Sequence, residues 1–290
     1  MTVVGTVSRL RRYPVKSMRG EDVDGTRITE RGLIGDRAIA LVDGETGKLA
    51  SAKRPSRWGA LLGFEAAFAG PVTADGPLPA VRVTFPDGAV MSSEDPAIAE
   101  RLADVVGRPI RLVSPHDEML FIEEAWHGGL KDSAEPYGPV IGEEDGELLI
   151  DVPASLAAPG AFFDAAPIHL VTTATLDALA EAAPGSRFAP ERFRPNLVID
   201  AGDGTGFVEN DWPDRTLVIG DARLDVLMPV PRCVMTTLPQ GDLPKDTDVL
   251  RTVTKHNRIP ALAGEYPCVG VYATVSAEGD VRLGDEVRLI

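Results

Sequence analysis

The stretch TLVIGDARLDVL, residues 216–227, decides the fold class, because it places two short apolar runs on either side of a Gly220-Asp221 turn. In the second run apolar and polar side chains alternate, which is typical of a strand with one buried face. Two such runs joined by a tight turn that contains glycine predict an antiparallel β-hairpin. The stretch therefore indicates a protein built from paired strands.

The same pattern recurs in residues 39–50, 81–90 and 271–290, each with a turn that contains Gly and Asp between apolar runs. Helix signals are fewer, and they predict one short helix that opens at Asp95-Pro96, one over residues 173–183 and one between residues 245 and 256. Many short hairpins with few helices indicate barrels rather than a doubly wound sheet. The predicted fold class is therefore mainly β (α+β), with β-barrels and short flanking helices.

The chain of 290 residues is long enough for two domains of ordinary size. Its composition changes in residues 116–160, where many acidic residues alternate with Gly and Pro. We interpret this segment as an acidic, irregular connection. The predicted organisation is an N-terminal barrel domain in residues 1–115, the connection, and a C-terminal barrel domain in residues 161–290.

The formal net charge of −15 argues against a nucleic-acid partner and against binding to an anionic membrane surface. The N-terminus lacks the pattern of a signal peptide, and no apolar run approaches the ~20 residues of a membrane span. Two cysteines make no disulfide framework, so we expect a reduced, cytoplasmic protein. Three short basic segments, residues 9–19, 53–57 and 187–194, are exceptions to the acidic composition. Each could hold a small anion, or it could be a solvated face whose cations pair with carboxylates. The second interpretation is favoured for any single segment.

Cys233 lies in PVPRCVMTT, residues 229–237, between two prolines and two threonines. The prolines stiffen the approach, and the charge of Arg232 would favour the thiolate, which is the form that attacks or binds a metal. Free cysteines are nevertheless among the most buried residues, so a packing role is the alternative. Cys268 lies in an apolar, strand-like run, where packing is the expected role.

Three further motifs suit an anion or a planar heterocycle. Lys16 and Ser17 follow the stiff Tyr13-Pro14 pair, and a cation beside a hydroxyl can hold a phosphate. Arg37 follows a Gly-Asp turn, where a surface ion pair is the alternative. Pro195 biases Arg194 towards extended geometry, which would place Arg194 and Asn196 on one face of a strand; a polar strand edge paired to acids is the alternative.

Together these pieces resemble the MOSC-domain proteins that carry a preceding MOSC N-terminal β-barrel domain, and the resemblance spans essentially the whole chain. The motifs that carry it occur in the family's order: YPVKS (residues 13–17), GDR (35–37), IHLVTT (168–173), RFRPN (192–196), PRC (231–233) with Thr236-Thr237, GVY (270–272) and VRLGD (281–285). After the cysteine, the family pattern Thr-Thr-x-Asp-Pro-x-Thr-Gly is replaced here by TTLPQG, so the loop beyond it differs.

The resemblance implies a cofactor. In this family, which includes molybdenum enzymes of the amidoxime reducing component type, the cysteine of the Arg-Cys pair binds molybdenum carried on molybdopterin. Cys233 would accordingly be both the metal ligand and the catalytic residue. The positions that match the family's cofactor-binding residues are Lys16, Ser17, Arg37, Thr172, Thr173, Arg194, Asn196, Arg232 and Tyr272.

The activity implied by the resemblance is a molybdenum-dependent oxidoreductase that reduces N-hydroxylated compounds, such as amidoximes and hydroxylamines, to amidines or amines. We expect no appended ferredoxin-like domain, and electrons are therefore expected from an external donor protein such as a flavin reductase or a ferredoxin. Two other functions stay open at this point. Cys233 could carry sulfur as a persulfide in a sulfurtransferase-like protein, or the chain could be a non-enzymatic carrier of the molybdenum cofactor.

Overall fold

The computed structural model of the chain describes residues 1–74, 76–114, 120–126, 139–144, 146–153, 162–262 and 264–290. Its strands are β1 (Thr2–Arg12), β2 (Glu21–Asp22), β3 (Gly25–Thr29), β4 (Gly32–Leu33), β5 (Ala40–Asp43), β6 (Glu65–Phe68), β7 (Val81–Thr84), β8 (Val90–Ser92), β9 (Ile110–Val113), β10 (Phe121–Trp126), β11 (Val140–Glu144), β12 (Glu147–Pro153), β13 (Ile168–Thr172), β14 (Leu197–Asp200), β15 (Thr216–Ile219), β16 (Ala222–Pro231), β17 (Arg258–Ala261), β18 (Gly264–Ala277), β19 (Gly279–Arg282) and β20 (Glu286–Leu289). Its α-helices are α1 (Pro55–Trp58), α2 (Ile98–Val106), α3 (Thr173–Ala182), α4 (Pro190–Phe193) and α5 (Asp248–His256). Short 3-10 helices lie at Gly59–Gly63, Val208–Asp211 and Val234–Thr237.

A closed barrel of seven strands forms the larger part of the fold. Its order is β13-β14-β1-β20-β15-β16-β18, and it closes because β18 also pairs with β13. The hairpin predicted for residues 216–227 is present as β15 and β16, with Thr216 opposite Asp225. Apolar side chains that are buried inside the barrel include Leu10, Leu170, Leu197, Leu217, Leu224, Val271 and Val287. The predicted mainly β fold is confirmed.

The helices also follow the sequence signals. Residues predicted to be helical form α2, α3 and α5, within a few residues of the predicted bounds. Gly107 ends α2 with a positive φ of 73°, which glycine adopts without strain. Thr172 caps α3, because its hydroxyl oxygen accepts a hydrogen bond from the Thr175 amide at 3.2 Å. No helix within the described residues is long and apolar enough to cross a membrane.

A second core lies in the first half of the chain, between the sheet β6-β7-β8, helix α2 and the residues that follow β1. Its buried side chains include Val15, Met18, Trp58, Phe64, Phe85 and Leu102. The two halves are interleaved, because β1 is a barrel strand and β3 pairs with β19. The boundaries 1–115, 116–160 and 161–290 stay a prediction.

Part of the segment that we interpreted as irregular is a three-stranded sheet, in the order β10-β12-β11. Ile122, Ile150 and Val152 are buried there in one apolar cluster with side chains of β5 and β9. Acidic residues that suggested an irregular connection instead pair with arginines and lysines, as Glu123 does with Arg57 at 3.2 Å. Asp117, Glu118 and Asp145, which belong to the same acidic pattern, lie outside the described residues.

Candidate functional site

Cys233 lies just after β16 and is exposed, with extended backbone geometry (φ −123°, ψ −173°). The short 3-10 helix that follows it is closed on the Cys233 carbonyl oxygen, which accepts from the amide of Thr236 at 3.2 Å and from its hydroxyl at 3.1 Å. Burial among surrounding protein atoms raises the pKa of the thiol, although Lys53 lowers it in part. The Cys233 thiol is therefore exposed to solvent at one side and surrounded by protein groups at the other.

Arg232 and the Cys233 thiolate attract each other, as the sequence predicted, but burial outweighs this attraction and the net shift of the Cys233 pKa is upward. Its guanidinium is directed at the backbone: Nε donates to the Val269 carbonyl at 3.0 Å and Nη1 to the Phe193 carbonyl at 3.0 Å. Nη2 contacts Nε2 of His169. Burial lowers the pKa of Arg232 to about 10. The guanidinium fixes the chain on the N-terminal side of Cys233.

His169 is a buried histidine of strand β13. Burial and the Arg232 charge hold the pKa of His169 well below its usual range, so the ring is neutral. A guanidinium can only donate, so Nε2 of His169 is assigned as the acceptor and the ring proton is on Nδ1. The half-buried ring of Tyr272 lies edge-on to it, with ring centroids 5.8 Å apart.

Lys16 and Lys53 form a network of ion pairs with two carboxylates, and Lys53 is the cation of this network that acts most strongly on Cys233. Nζ of Lys16, which is 5 % exposed, donates to Oδ1 of Asp164 at 2.6 Å and to the Phe162 carbonyl at 2.9 Å. Nζ of Lys53 lies 3.6 Å from Oδ2 of Asp164 and 2.6 Å from Oε1 of Glu124. Asp164 is therefore shared between two ammonium groups.

Burial and neighbouring charges together set the pKa values of Asp164 and Lys16. Burial alone would raise the pKa of Asp164, but the charges of Lys16, Lys53 and Arg37 hold it well below its usual range. Burial lowers the pKa of Lys16, and Asp164 offsets this only in part because Lys53 and Arg37 also repel the charge. The positive charge of the cluster is therefore not fully neutralised by Asp164.

Tyr13 and Asp36 organise the two arginines of the site. The buried Asp36 carboxylate accepts from the Tyr13 amide at 2.7 Å and from Asn196 Nδ2 at 3.1 Å, and it contacts the Arg37 guanidinium. Burial alone would lower the pKa of Arg37, but Asp36, Tyr13 and Asp164 together outweigh this and raise it. The guanidinium carbons of Arg37 and Arg194 lie 4.9 Å and 4.4 Å from the Tyr13 ring centroid, which are cation–π distances.

The prediction that Arg194 is extended was wrong. Its backbone is left-handed (φ 58°, ψ 46°), because its amide closes the last turn of α4 by donating to the Pro190 carbonyl at 2.9 Å. Nη1 of Arg194 donates to the Met18 carbonyl at 2.8 Å, and burial lowers the pKa of Arg194 to about 10. Arg194 and Asn196 nevertheless reach the same cluster, through Tyr13 and Asp36.

Three residues of the candidate site have a strained backbone conformation. Ser17, Arg37 and Arg194 have positive φ values of 67°, 48° and 58°, a region that residues with a Cβ rarely adopt. Each such residue costs on the order of 1 kcal/mol or more, and residues of this kind persist where the surroundings fix them, often at functional sites. The Ser17 hydroxyl oxygen accepts from the Ala52 amide at 3.1 Å, next to Lys53.

The structure does not bring Thr172 and Thr173 into this cluster. The Thr172 hydroxyl donates to Glu209 Oε2 at 2.6 Å, and the Thr173 hydroxyl oxygen accepts from the Ala201 amide at 3.2 Å. Both hydroxyls thus form hydrogen bonds around the N-terminus of α3 and not at the candidate site. Asp164, conversely, was not among the predicted site residues, because its sequence context carries no motif.

The cations of the three basic segments mostly fall into two groups, those paired with carboxylates outside the site and those collected at the site. Most arginines of these segments pair with carboxylates, as in Arg9–Asp22 at 2.8 Å and Arg12–Glu21 at 2.6 Å. Among the residues that the structure describes, the site instead collects five cations against three carboxylates. The cations are Lys16, Arg37, Lys53, Arg194 and Arg232, and the carboxylates are Asp36, Glu124 and Asp164. A soft thiol beside surplus positive charge fits an anionic cofactor that carries a soft metal. Within the described ranges, no group of three or more His, Cys, Asp or Glu side chains is placed to hold a metal ion.

Comparison with known proteins gives two domain matches. The MOSC domain matches residues 157–288, and the MOSC N-terminal beta barrel domain matches residues 4–61. The chain is 26% identical to mitochondrial amidoxime reducing component 2 of Rattus norvegicus, over 98% of this chain and 83% of the relative. It is 27% identical to mitochondrial amidoxime-reducing component 1 of Homo sapiens, over 99% and 83%. Among solved structures, the YUAD protein from Bacillus subtilis aligns with a TM-score of 0.45 at 12% identity, over 98% of this chain and 94% of that chain.

Proposed function

Because this chain belongs to the MOSC-domain proteins that carry a MOSC N-terminal β-barrel domain, we propose that it binds the molybdenum cofactor through Cys233 and reduces N-hydroxylated compounds. Amidoximes and hydroxylamines would be converted to amidines and amines. The proposal is supported by relatives named amidoxime reducing components, which align with nearly the whole chain. Electrons would come from an external donor protein.

The observation that carries the proposal is the exposed Cys233 thiol beside the cations Lys53 and Arg232. A thiolate is a preferred ligand of soft metals, and cations around it suit the anionic pterin that would bring the metal. When bound, the cofactor supplies the two-electron redox chemistry that the chain itself lacks. The protein contributes binding, orientation and electrostatics.

The cations divide into two groups by their protein partners. Lys16 and Lys53 meet at Asp164, so both ammonium groups are held where an anionic group of the cofactor can be contacted. Arg37 and Arg194 are held against Tyr13, and their charges are fixed in direction by Asp36 and by the Met18 carbonyl. Little reorganisation is needed when an anion binds, which favours affinity.

The reaction consumes two electrons and two protons for each N–O bond that is cleaved, and it releases water. Among the charged side chains that act most strongly on the Cys233 thiol, Lys53 is the cation, and Glu124 and Asp164 are its carboxylate partners. The Lys53 ammonium holds its protons at Nζ between these two carboxylates. We infer that this ammonium is the protein group placed to deliver protons near the ligand.

The test compares three proteins produced in a host that makes the cofactor: the wild type, Cys233→Ala and Cys268→Ala. Cys268 is the matched control, because it is buried and burial raises its pKa to about 12. Molybdenum and pterin content are measured, followed by benzamidoxime reduction with a reduced viologen dye as electron donor. The wild type and Cys268→Ala should contain both and form benzamidine, whereas Cys233→Ala should do neither.

Three results would contradict the proposal at different points. If Cys233→Ala retains molybdenum and activity, Cys233 is not the ligand. If the wild type retains molybdenum and pterin but reduces no N-hydroxylated compound with a chemical reductant, the reductase assignment is wrong and the carrier alternative is favoured. Labile sulfur on Cys233 without molybdenum would favour the persulfide alternative.

A further inference from the structure

Arg192 is fully buried, and its guanidinium is satisfied by the backbone. Nε donates to the Arg187 carbonyl at 2.9 Å, and Nη2 donates to the Pro244 carbonyl at 2.9 Å. Nη1 is shared between the carbonyls of Thr236 at 3.1 Å and Leu238 at 3.4 Å. At 1 % exposure, Arg192 is among the largest side chains that the fold buries completely. A buried cation is costly unless every donor has a partner, so this placement calls for an explanation.

The carbonyls that Arg192 binds belong mainly to one loop. Thr236, Leu238 and Pro244 all follow Cys233 within 11 positions, and they flank or fall in residues 238–241, where this chain departs from the family pattern. The loop also has hydrogen bonds of its own, among them those between Gln240 and Leu243, at 2.9 Å in both directions. The guanidinium therefore holds three separate points of the loop to helix α4.

The N-terminal side of Cys233 is held to the same helix by the second arginine. Arg232 donates to the carbonyl of Phe193, the residue directly after Arg192, at 3.0 Å. The two guanidiniums thus work in opposite directions: one reaches from the cysteine segment to α4, and the other reaches from α4 to the cysteine segment. Cys233 lies between the two attachments.

We propose that Arg192 is a positioning residue for Cys233. Through the carbonyls of Thr236 and Leu238 it fixes the 3-10 helix that begins directly after the cysteine, and with Arg232 it fixes the direction in which the thiol faces. The planar fork of arginine is required, because one ammonium cannot reach carbonyls at several separated points. The proposal concerns the thiol itself and does not depend on which cofactor or substrate the site takes.

The experiment uses Arg192→Met and Arg192→Lys, with Arg187→Met as the matched control. Arg187 is exposed and pairs with Asp242 of the same loop at 3.0 Å, so its loss removes an arginine contact to the loop without touching the buried carbonyls. Amide hydrogen exchange of residues 234–246 and the rate of Cys233 alkylation by iodoacetamide are measured. Buried Cys268 is the internal reference for alkylation.

In Arg192→Met we expect exchange at the Leu238 and Asp246 amides to be at least about tenfold faster, which is the effect of losing even one charge-assisted hydrogen bond. These amides donate to Met235 and Thr237 within the loop. The rate of Cys233 alkylation in Arg192→Met should also differ from that of the wild type. Amide exchange in β16 and β18 should stay at the wild-type level. Arg192→Lys should give an intermediate result, and Arg187→Met should match the wild type.

The proposal is overturned if Arg192→Met alters exchange in the loop and leaves the Cys233 rate unchanged, since the role is then structural only. It is also overturned if the strands exchange faster to the same extent as the loop, or if Arg187→Met has an equal effect. If Arg192→Met does not fold, Arg192→Lys decides: wild-type values for both readouts would show that the fork is not needed.

Discussion

Nζ of Lys16 lies 2.6 Å from Oδ1 of Asp164, although 148 positions separate the two residues in the chain. Lys16 follows the first barrel strand, and Asp164 precedes β13, so the contact joins the first half of the chain to the barrel beside Cys233. Lys16 also donates to the Phe162 carbonyl at 2.9 Å, two residues before Asp164. One ammonium thus fixes the position of this segment and carries part of the charge of the site.

Asp164→Asn should destabilise the protein by about 1–2 kcal/mol near neutral pH, a value reduced from that of a fully buried pair because the Asp164 side chain is 36% exposed. The cause is the loss of the carboxylate that Lys16 and Lys53 share. Urea unfolding of the variant and the wild type measures the difference. Asp242→Asn, which changes the same charge in an exposed pair with Arg187, should have no measurable effect.

The ion pair between Lys16 and Asp164 also makes the stability of the protein depend on pH. The folded-state pKa of Asp164 lies below the unfolded value, so its stabilisation is present above the unfolded value of about 4 and is lost as the pH falls towards the folded value. The difference in stability between the wild type and Asp164→Asn should therefore shrink on acidification below about pH 4. A difference that is constant across this range would show that Asp164 contributes through packing and not through its charge.

Lys16→Met should lower the molybdenum and pterin retained on purification by about tenfold, because a charge-assisted hydrogen bond to an anion is lost. The pterin is measured by fluorescence after denaturation, and the metal by elemental analysis. Lys48→Met is the matched control, since Lys48 pairs with Asp151 at 3.1 Å and Glu123 at 3.4 Å outside the cluster. Equal retention in Lys16→Met and Lys48→Met would remove Lys16 from the proposed cofactor site.

Glu209→Gln should become more stable relative to the wild type as the pH rises. Glu209 is fully buried, and burial raises its pKa although the hydroxyls of Thr172 and Thr175 donate to it at 2.6 and 2.7 Å. Above the unfolded value of about 4.3 the unfolded chain has lost a proton that the folded chain still holds, so the wild type loses stability with increasing pH. Urea unfolding at about pH 4 and about pH 8 measures the trend, and a pH-independent difference would contradict it.

Local patterns predicted the hairpins and helices, since alternation, turns and caps act over a few residues. Closure of the barrel was not visible in those patterns, because β1 pairs with β14 at positions such as Thr6 and Asp200, far apart in the chain. The cations of the site were named from their motifs, but Asp164 was missed because a distant counter-ion leaves no local pattern. Arg194 was placed in the wrong backbone region because hydrogen bonds of α4 outweigh the influence of Pro195.

Gly270→Ala should destabilise the protein by about 3 kcal/mol or more, and it should disturb the site as well as the barrel. Gly270 has a φ of 75°, and a Cβ there would lie 2.2 Å from the Leu170 carbonyl oxygen and 2.7 Å from Nε2 of His169. The clash falls on the β13–β18 pairing that closes the barrel and on the ring that contacts Arg232.

Gly47→Ala separates the two causes, because Gly47 has nearly the same φ, 72°, with nothing within 4 Å of the added methyl group. It should cost only the backbone strain of a left-handed alanine, about 1–2 kcal/mol. Urea unfolding of both variants measures the difference, and the Cys233 alkylation rate should change in Gly270→Ala alone. If the two variants lose equal stability, the close approach of β18 to His169 does not constrain the fold.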